Sequence, residues 1–172
     1  MVAATDVPGP SPDELQDAVD HVAVARLTDA YADVVTRRAW HELADLFLPG
    51  CILHLDTVTA PARDVVGPQA VGEFIGTAVE RFEFFEFVVL NRRVELRDGG
   101  DPDRATARIF MCELRQGADD GRRTTAYGVY RDTYARVAGR WWFADRRYRS
   151  LARTAPADAA RDLDVLPWPE DL

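Results

Sequence analysis

Lysine is absent from the 172 residues; every one of the 21 basic side chains is arginine. We read this as arginine codon choice in a GC-rich genome, without chemical meaning. Bases are also outnumbered, with 29 acids and a formal charge of −8. That balance argues against nucleic-acid partners and anionic membrane surfaces, which need a basic footprint. No apolar run approaches the ~20 residues that span a bilayer. The N-terminus, MVAATDVPGPSPDE, has neither the basic nor the apolar region of a secretory signal. Two cysteines, Cys51 and Cys112, make no disulfide framework and no CxxC pair, so a cytoplasmic location with reduced thiols is expected. Three histidines, His21, His41 and His54, give no HxxxH or HExxH spacing, and no metal is expected. Neither a GxGxxG nor a Walker pattern occurs, so no nucleotide cofactor is expected.

What is present is one domain's length of chain, 47% apolar. Residues 1–12, with Pro8, Pro10, Pro12 and Gly9, read as a disordered arm. Ser11-Pro12-Asp13-Glu14 is a helix start: Ser as N-cap, Pro in the first turn, acids beside the positive helix end. Helical spacing predicts a helix over about 13–37, with a break near His21 compatible with the pattern. Leu27 to Leu55 is the organising stretch. Tyr31, Val34 and Val35, then Leu43, Leu46 and Phe47, keep helical spacing and predict a second, short helix capped by Pro49-Gly50. Cys51, Leu53 and Leu55 then alternate with Ile52, His54 and Asp56, as on a strand. Gly67-Pro68 opens a third helix carrying Val71, Phe74, Ile75, Ala78 and Val79.

From Phe82 the period becomes that of strands. A Phe-rich run to Leu96, then 105–114, 124–137 and 141–151, are separated by Gly/Asp/Pro-rich turns and the Ala138-Gly139-Arg140 hairpin. Helices segregated from a mainly antiparallel sheet define an α+β fold. Three helices over the concave face of a curved sheet would leave a cone-shaped pocket. The predicted layout is an arm at 1–12, a domain at 13–152, and a C-terminal tail at 153–172 that packs on the domain or a neighbour. The apolar side chains Val165, Leu166 and Trp168 would be costly to leave in water.

Four ordered pieces carry a resemblance. They are Tyr31…Thr36…Trp40…Leu43…Leu46-Phe47; Asn91-Arg92-Arg93-Val94-Glu95-Leu96; Gly128-Val129-Tyr130-Arg131-Asp132; and Gly139-Arg140-Trp141-Trp142-Phe143-Ala144-Asp145-Arg146. Over about residues 20–152 the chain resembles the SnoaL-like branch of the nuclear-transport-factor-2-like superfamily. The resemblance implies a cone-shaped α+β barrel that hosts dehydratases, cyclases, isomerases and non-catalytic binders. It also implies pairing into dimers or trimers through the convex sheet face. Dehydratase members use an acid on the first helix and a His on the first long strand. By this alignment those positions hold Thr36 and Phe87, neither of which serves as an Asp–His base. Tyr31 and Arg146 persist from the dehydratase pattern.

Candidate chemistry must therefore be sought among other residues. His54 and Asp56, two apart on a strand, would be neighbours able to move a proton. Tyr31 and Arg146 could polarise an oxygen. Thr36, Trp40, Phe87, Asn91, Tyr130 and Trp142 would line the substrate cavity, with Trp142 and Tyr148 alternating onto the Arg146 face. Asp132 could be simply the partner of Arg146, and Cys112 a buried inert thiol. The expected function is a cofactor-independent enzyme for a small apolar cyclic or polyketide-like substrate, acting by dehydration, cyclisation or isomerisation. The alternatives are a non-catalytic binding domain, or the small subunit of a ring-hydroxylating dioxygenase.

Overall fold

The computed structural model describes residues 9–170; the expected N-terminal arm therefore lies largely outside the described residues. Helix α1 spans Pro12–Arg37. It starts at the Ser11 cap, where the Ser11 hydroxyl accepts from the Glu14 N–H and the Glu14 carboxylate accepts from the Ser11 N–H at 2.7 Å. The helix runs through His21 without a break. Its buried stripe is Val24, Leu27, Thr28, Tyr31, Val34 and Val35. Buried Asp20 explains why the polar stretch at 20–21 holds: its carboxylate accepts from Arg136 Nη1 at 2.9 Å and from Trp141 Nε1 at 3.0 Å.

The second helical segment is a 3-10 turn, Trp40–Asp45. It ends earlier than the sequence suggests, because strand β1 already begins at Phe47 and runs to Asp56. Pro49 and Gly50 lie inside that strand, within the register shift that separates Phe47 from Ile52 against the neighbouring strand. A short strand β2, Arg63–Val66, turns back on β1; its four residues are too few to show a period. Helix α2 is Pro68–Val79. Trp40, at the start of the 3-10 turn, packs closely on α2 at two glycines: a Cβ at Gly72 or Gly76 would lie 3.0 or 3.1 Å from Trp40 and would need it to give way.

Four long strands follow: β3 Phe82–Leu96, β4 Arg104–Gly117, β5 Arg123–Val137 and β6 Arg140–Thr154. Both turn residues of the β5–β6 hairpin, Ala138 and Gly139, have positive φ, 51° and 77°, the two-residue geometry that suits the strand twist. The sheet order is β2-β1-β6-β5-β4-β3. All pairs are antiparallel except β1 with β6. Strand β7, Leu163–Val165, pairs with the end of β6 that β1 leaves uncovered. The described tail thus packs on its own domain, with Leu166 buried and its N–H bonded to the Leu151 carbonyl at 2.9 Å. No described helix is long and apolar enough to cross a membrane. The architecture is a curved seven-stranded sheet with the helices on one face.

One of several register shifts in the sheet sets the inner face around its deepest point. In β6 the register against β5 shifts between Phe143 and Asp145, leaving Ala144 extra. Trp141 and Phe143 are buried before it, and Arg146 and Ser150 after it. A bulge that adds one residue exchanges the two faces of the strand.

Because Asp20 ties α1 to β5 and β6, Asp20→Ala should lower stability by about 1.5–3 kcal/mol through lost hydrogen bonds to a charged group. Urea unfolding monitored by tryptophan fluorescence measures it, and an unchanged midpoint would refute the tether.

Candidate active site

Arg146 sits at the bottom of the inner face, buried to 1% exposure. Its Nε and Nη2 donate to the two carboxylate oxygens of Asp132 at 2.9 and 3.1 Å. Asp132, directly opposite on β5, is buried too and also accepts from the Tyr134 hydroxyl at 3.0 Å. Aromatic faces enclose the guanidinium, with its central carbon 3.9 Å from the Tyr31 ring centre, 4.2 Å from Tyr130 and 4.3 Å from Phe143. Burial is the largest single effect on Arg146 and works against its cation, but the Asp132 charge together with Tyr31, Tyr130 and Tyr134 outweighs it and holds the guanidinium protonated. Burial pushes the Asp132 carboxyl up while Arg146 pulls it back down. Arg146 Nη1 is buried with no hydrogen-bond partner among the described residues, so one charged donor is uncommitted.

The Gly-x-Tyr-x-Asp strand now has a physical reading. Gly128, Tyr130 and Asp132 share the inner face of β5. Asp132 fixes Arg146, Tyr130 stacks on it, and Gly128 makes room for Tyr148, whose ring a Cβ there would meet at 2.2 Å. Tyr148 packs on Tyr130 with ring centres 5.1 Å apart.

Above this cage, β4 contributes Glu113. It pairs with Ala126 on β5 and Phe87 on β3, and ion-pairs with Arg115 two residues on. Its negative charge raises the cost of ionising Tyr31, Tyr130 and Tyr148. Burial is the larger cause in all three, and it lifts the Tyr148 hydroxyl to about 12. Glu113 is thus near enough to act electrostatically on three hydroxyls that burial keeps protonated. Sequence reasoning missed Glu113. The signal was present: Ala105, Ala107, Ile109 and Met111 are all buried at alternate positions, and the next residue of that parity is an acid.

The other expected site residues divide. The structure brings Tyr31, Arg146, Tyr130 and Phe87 together; Phe87 meets Tyr31 edge-on at 5.4 Å. Thr36 also reaches Phe87, its hydroxyl accepting the Phe87 N–H at 3.0 Å. Thr36 and Phe87 are thus adjacent, joined by a neutral contact.

His54 and Asp56 are not a pair. His54 Nδ1 lies 2.6 Å from Asp64 and Nε2 lies 2.9 Å from Asp145, whereas Asp56 accepts the Val58 N–H at 2.8 Å and ion-pairs with Arg149. Both share the outer face with Asp145 and Arg149, opposite to buried Leu53 and Arg146. Cross-strand partners, invisible in the strand's own sequence, outcompete the i+2 neighbour. Trp142 is also on the outer side, because the Ala144 bulge breaks its alternation with Arg146; Arg140 stacks on it at 4.3 Å. Asn91 is exposed, turned outward opposite Phe110 by the register shift after Val89. Trp40 packs on α2 instead. Cys51 and Cys112 are buried free thiols, Cys51 pushed up to about 12 by burial. Among the described residues no three His, Cys, Asp or Glu side chains converge to hold a metal.

Comparison with known proteins follows the same lines. Residues 16–147 match the SnoaL-like domain model, and the chain belongs to the SnoaL-like domain family. Two structures from Novosphingobium aromaticivorans share the fold at 20% identity. One, provisionally named a scytalone dehydratase, has a TM-score of 0.71 over 90% of this chain and 98% of that one. The other, provisionally named an aromatic ring hydroxylase, has a TM-score of 0.65 over 87% and 94%. A type 2 hexachlorocyclohexane dehydrochlorinase, LinA, matches with a TM-score of 0.72 at 16% identity over 84% and 94%. No curated protein matches the sequence.

Two outcomes test the cage. Asp132→Ala strands the Arg146 charge and should cost about 3–5 kcal/mol in urea unfolding, and Asp132→Leu with Arg146→Met should recover much of that loss. Alkaline stability tests the tyrosines. The folded Tyr148 pKa, about 12, lies above its ordinary value of 10.0. A raised pKa gives stability that is intact below the unfolded value and is lost as pH rises through the folded one. Unfolding free energy should thus hold to about pH 10 and fall toward pH 12, with tyrosinate absorbance appearing late; early, simple titration of all five tyrosines would contradict the burial.

Proposed function

We propose that the protein is a cofactor-independent lyase or isomerase for a small apolar cyclic or polyketide-like substrate, acting by dehydration, cyclisation or isomerisation. The observation that carries this reading is Glu113, a carboxylate on the inner sheet face near enough to act electrostatically on the protonated hydroxyls of Tyr31, Tyr130 and Tyr148. Such a set suits removal of a proton from carbon beside a carbonyl. Glu113 accepts the proton. A tyrosine hydroxyl donates a hydrogen bond to the oxygen on which negative charge develops. The buried Arg146 charge lies beneath the tyrosine rings and favours negative charge on that oxygen through space. In a dehydration the proton removed by Glu113 and the leaving hydroxyl depart as water. His54 and Asp56, on the outer face, have no part in this reading.

A second reading, a non-catalytic binding domain of the same fold, is favoured by the Thr36–Phe87 contact, which puts no titratable group where dehydratase members of the family carry their acid and His. It predicts ligand retention without product. Homodimer or homotrimer formation through the outer sheet face is compatible with both readings, given exposed Phe84, Leu90 and Leu114.

A thermal-shift panel of aromatic polyketides, hydroxyketones and steroids separates them. A ligand at about 100 times its Kd adds about 2.7 kcal/mol of stability. For any ligand that is turned over, Glu113→Gln should lower kcat by roughly 10²–10⁴-fold while leaving the melt cooperative. Turnover that survives Glu113→Gln would refute the assigned base.

A further inference from the structure

The outer face carries a charge pattern that neither the fold nor the inner site requires. Arg93 on β3 stands directly opposite Arg108 on β4, Arg108 opposite Arg131 on β5, and Arg131 opposite Arg147 on β6. His54 on β1 continues the row beyond Arg147. Strands lie about 4.8 Å apart, so the four arginines form a line roughly 14 Å long. Like charges directly opposite one another destabilise a sheet, and this chain has a net charge of −8, which makes a four-strand row of arginines the more unusual.

The flanking rows only partly compensate. Glu95 pairs with Arg93 at 3.1 Å, and Asp145 with Arg147 at 3.0 Å, at the two ends of the row. Arg93 and Arg147 remain 71% and 61% exposed, so those pairs are weak and open to exchange. At the centre the neighbours in the adjacent row are Thr106 and Thr133, which pair with each other between Glu95 and Asp145; Arg131 is itself engaged. Arg108 is half-buried and makes no ion pair with any described residue. A cavity of about 310 Å³ runs along the row, lined by the four arginines and both threonines, with Glu95 and Asp145 at its ends and Asp132, already bound to Arg146, at its floor.

We propose that this outer-face groove binds a small ligand bearing two or more anionic groups. Guanidinium forks in line present paired N–H donors to carboxylate or phosphoryl oxygens. The threonine hydroxyls add neutral donors between them. The volume suits a small molecule rather than a polymer, and the acids at both ends oppose an extended polyanion. The site lies across the sheet from Glu113 and does not depend on the function proposed for the inner face.

Isothermal titration of the full chain at low ionic strength, with tripolyphosphate and with citrate, tests this. A single-site isotherm for either probe, weakened by salt, is expected; which probe binds identifies phosphoryl or carboxylate recognition. Arg108→Gln and Arg93→Gln should each weaken binding by roughly tenfold or more. Arg26→Gln, on the exposed face of α1, should leave it unchanged. Without ligand, Arg108→Gln should melt at the same or a higher temperature, since it relieves repulsion. Absence of binding to both probes, or equal weakening by Arg26→Gln, would overturn the proposal.

Discussion

The buried contact between Arg146 and Asp132 is the constraint on which the rest of this structure depends. A guanidinium removed from water costs several kcal/mol unless a counter-charge and further contacts compensate. Here the counter-charge comes from the next strand, and aromatic faces come from α1, β5 and β6. These groups converge only when the β5–β6 register is correct and α1 lies across the sheet with Tyr31 inward. The pair therefore adds specificity of arrangement to a core whose apolar burial supplies most of the stability. The network extends through Tyr134 to Thr28, again on α1, at 3.3 Å.

This arrangement also sets what the inner face can do. Deep positions are committed to holding the cation. The base proposed above, Glu113 on β4, lies outside this pair and is bound instead to Arg115. The Thr36–Phe87 contact is a neutral hydrogen bond between α1 and β3. Family membership thus accounts for the geometry and leaves the reaction to be read from side chains.

Much of the fold was legible in the sequence. The Ser11–Glu14 cap, the α1 stripe, the Gly67-Pro68 start and the four long strands each rest on local signals that the structure repeats. The misses share one physical origin. β2 and β7 are short and draw their identity from the strands they join. Pro49-Gly50 signals a stop, yet β1 pairs through it because β6 tolerates a register shift there. Within the site, Tyr31, Arg146, Tyr130 and Phe87 were legible through the family pattern, and the Asp132 partnership through shared strand parity. His54–Asp56 failed because residues two apart on a strand compete with closer cross-strand acids. Trp142 and Asn91 failed because a bulge reverses parity, and no composition signal marks Ala144 or Leu90 as the extra residue. Glu113 was legible, but only to a reader who follows an alternation past its last apolar member.

The Ala144 bulge works like a frame shift in the reading of a strand. Upstream of it, odd-numbered residues of β6 face inward; from Arg146 to Ser150, before a second shift at Leu151, even-numbered ones do. Without that one residue, strict alternation would turn Asp145, Arg147 and Arg149 into the cone and Arg146, Tyr148 and Ser150 out to water. The two faces of the strand encode two different proteins, and a single small side chain selects between them. Length at this point of the chain is consequently under tighter constraint than identity: many residues could occupy position 144, whereas no sequence lacking it could keep the same interior.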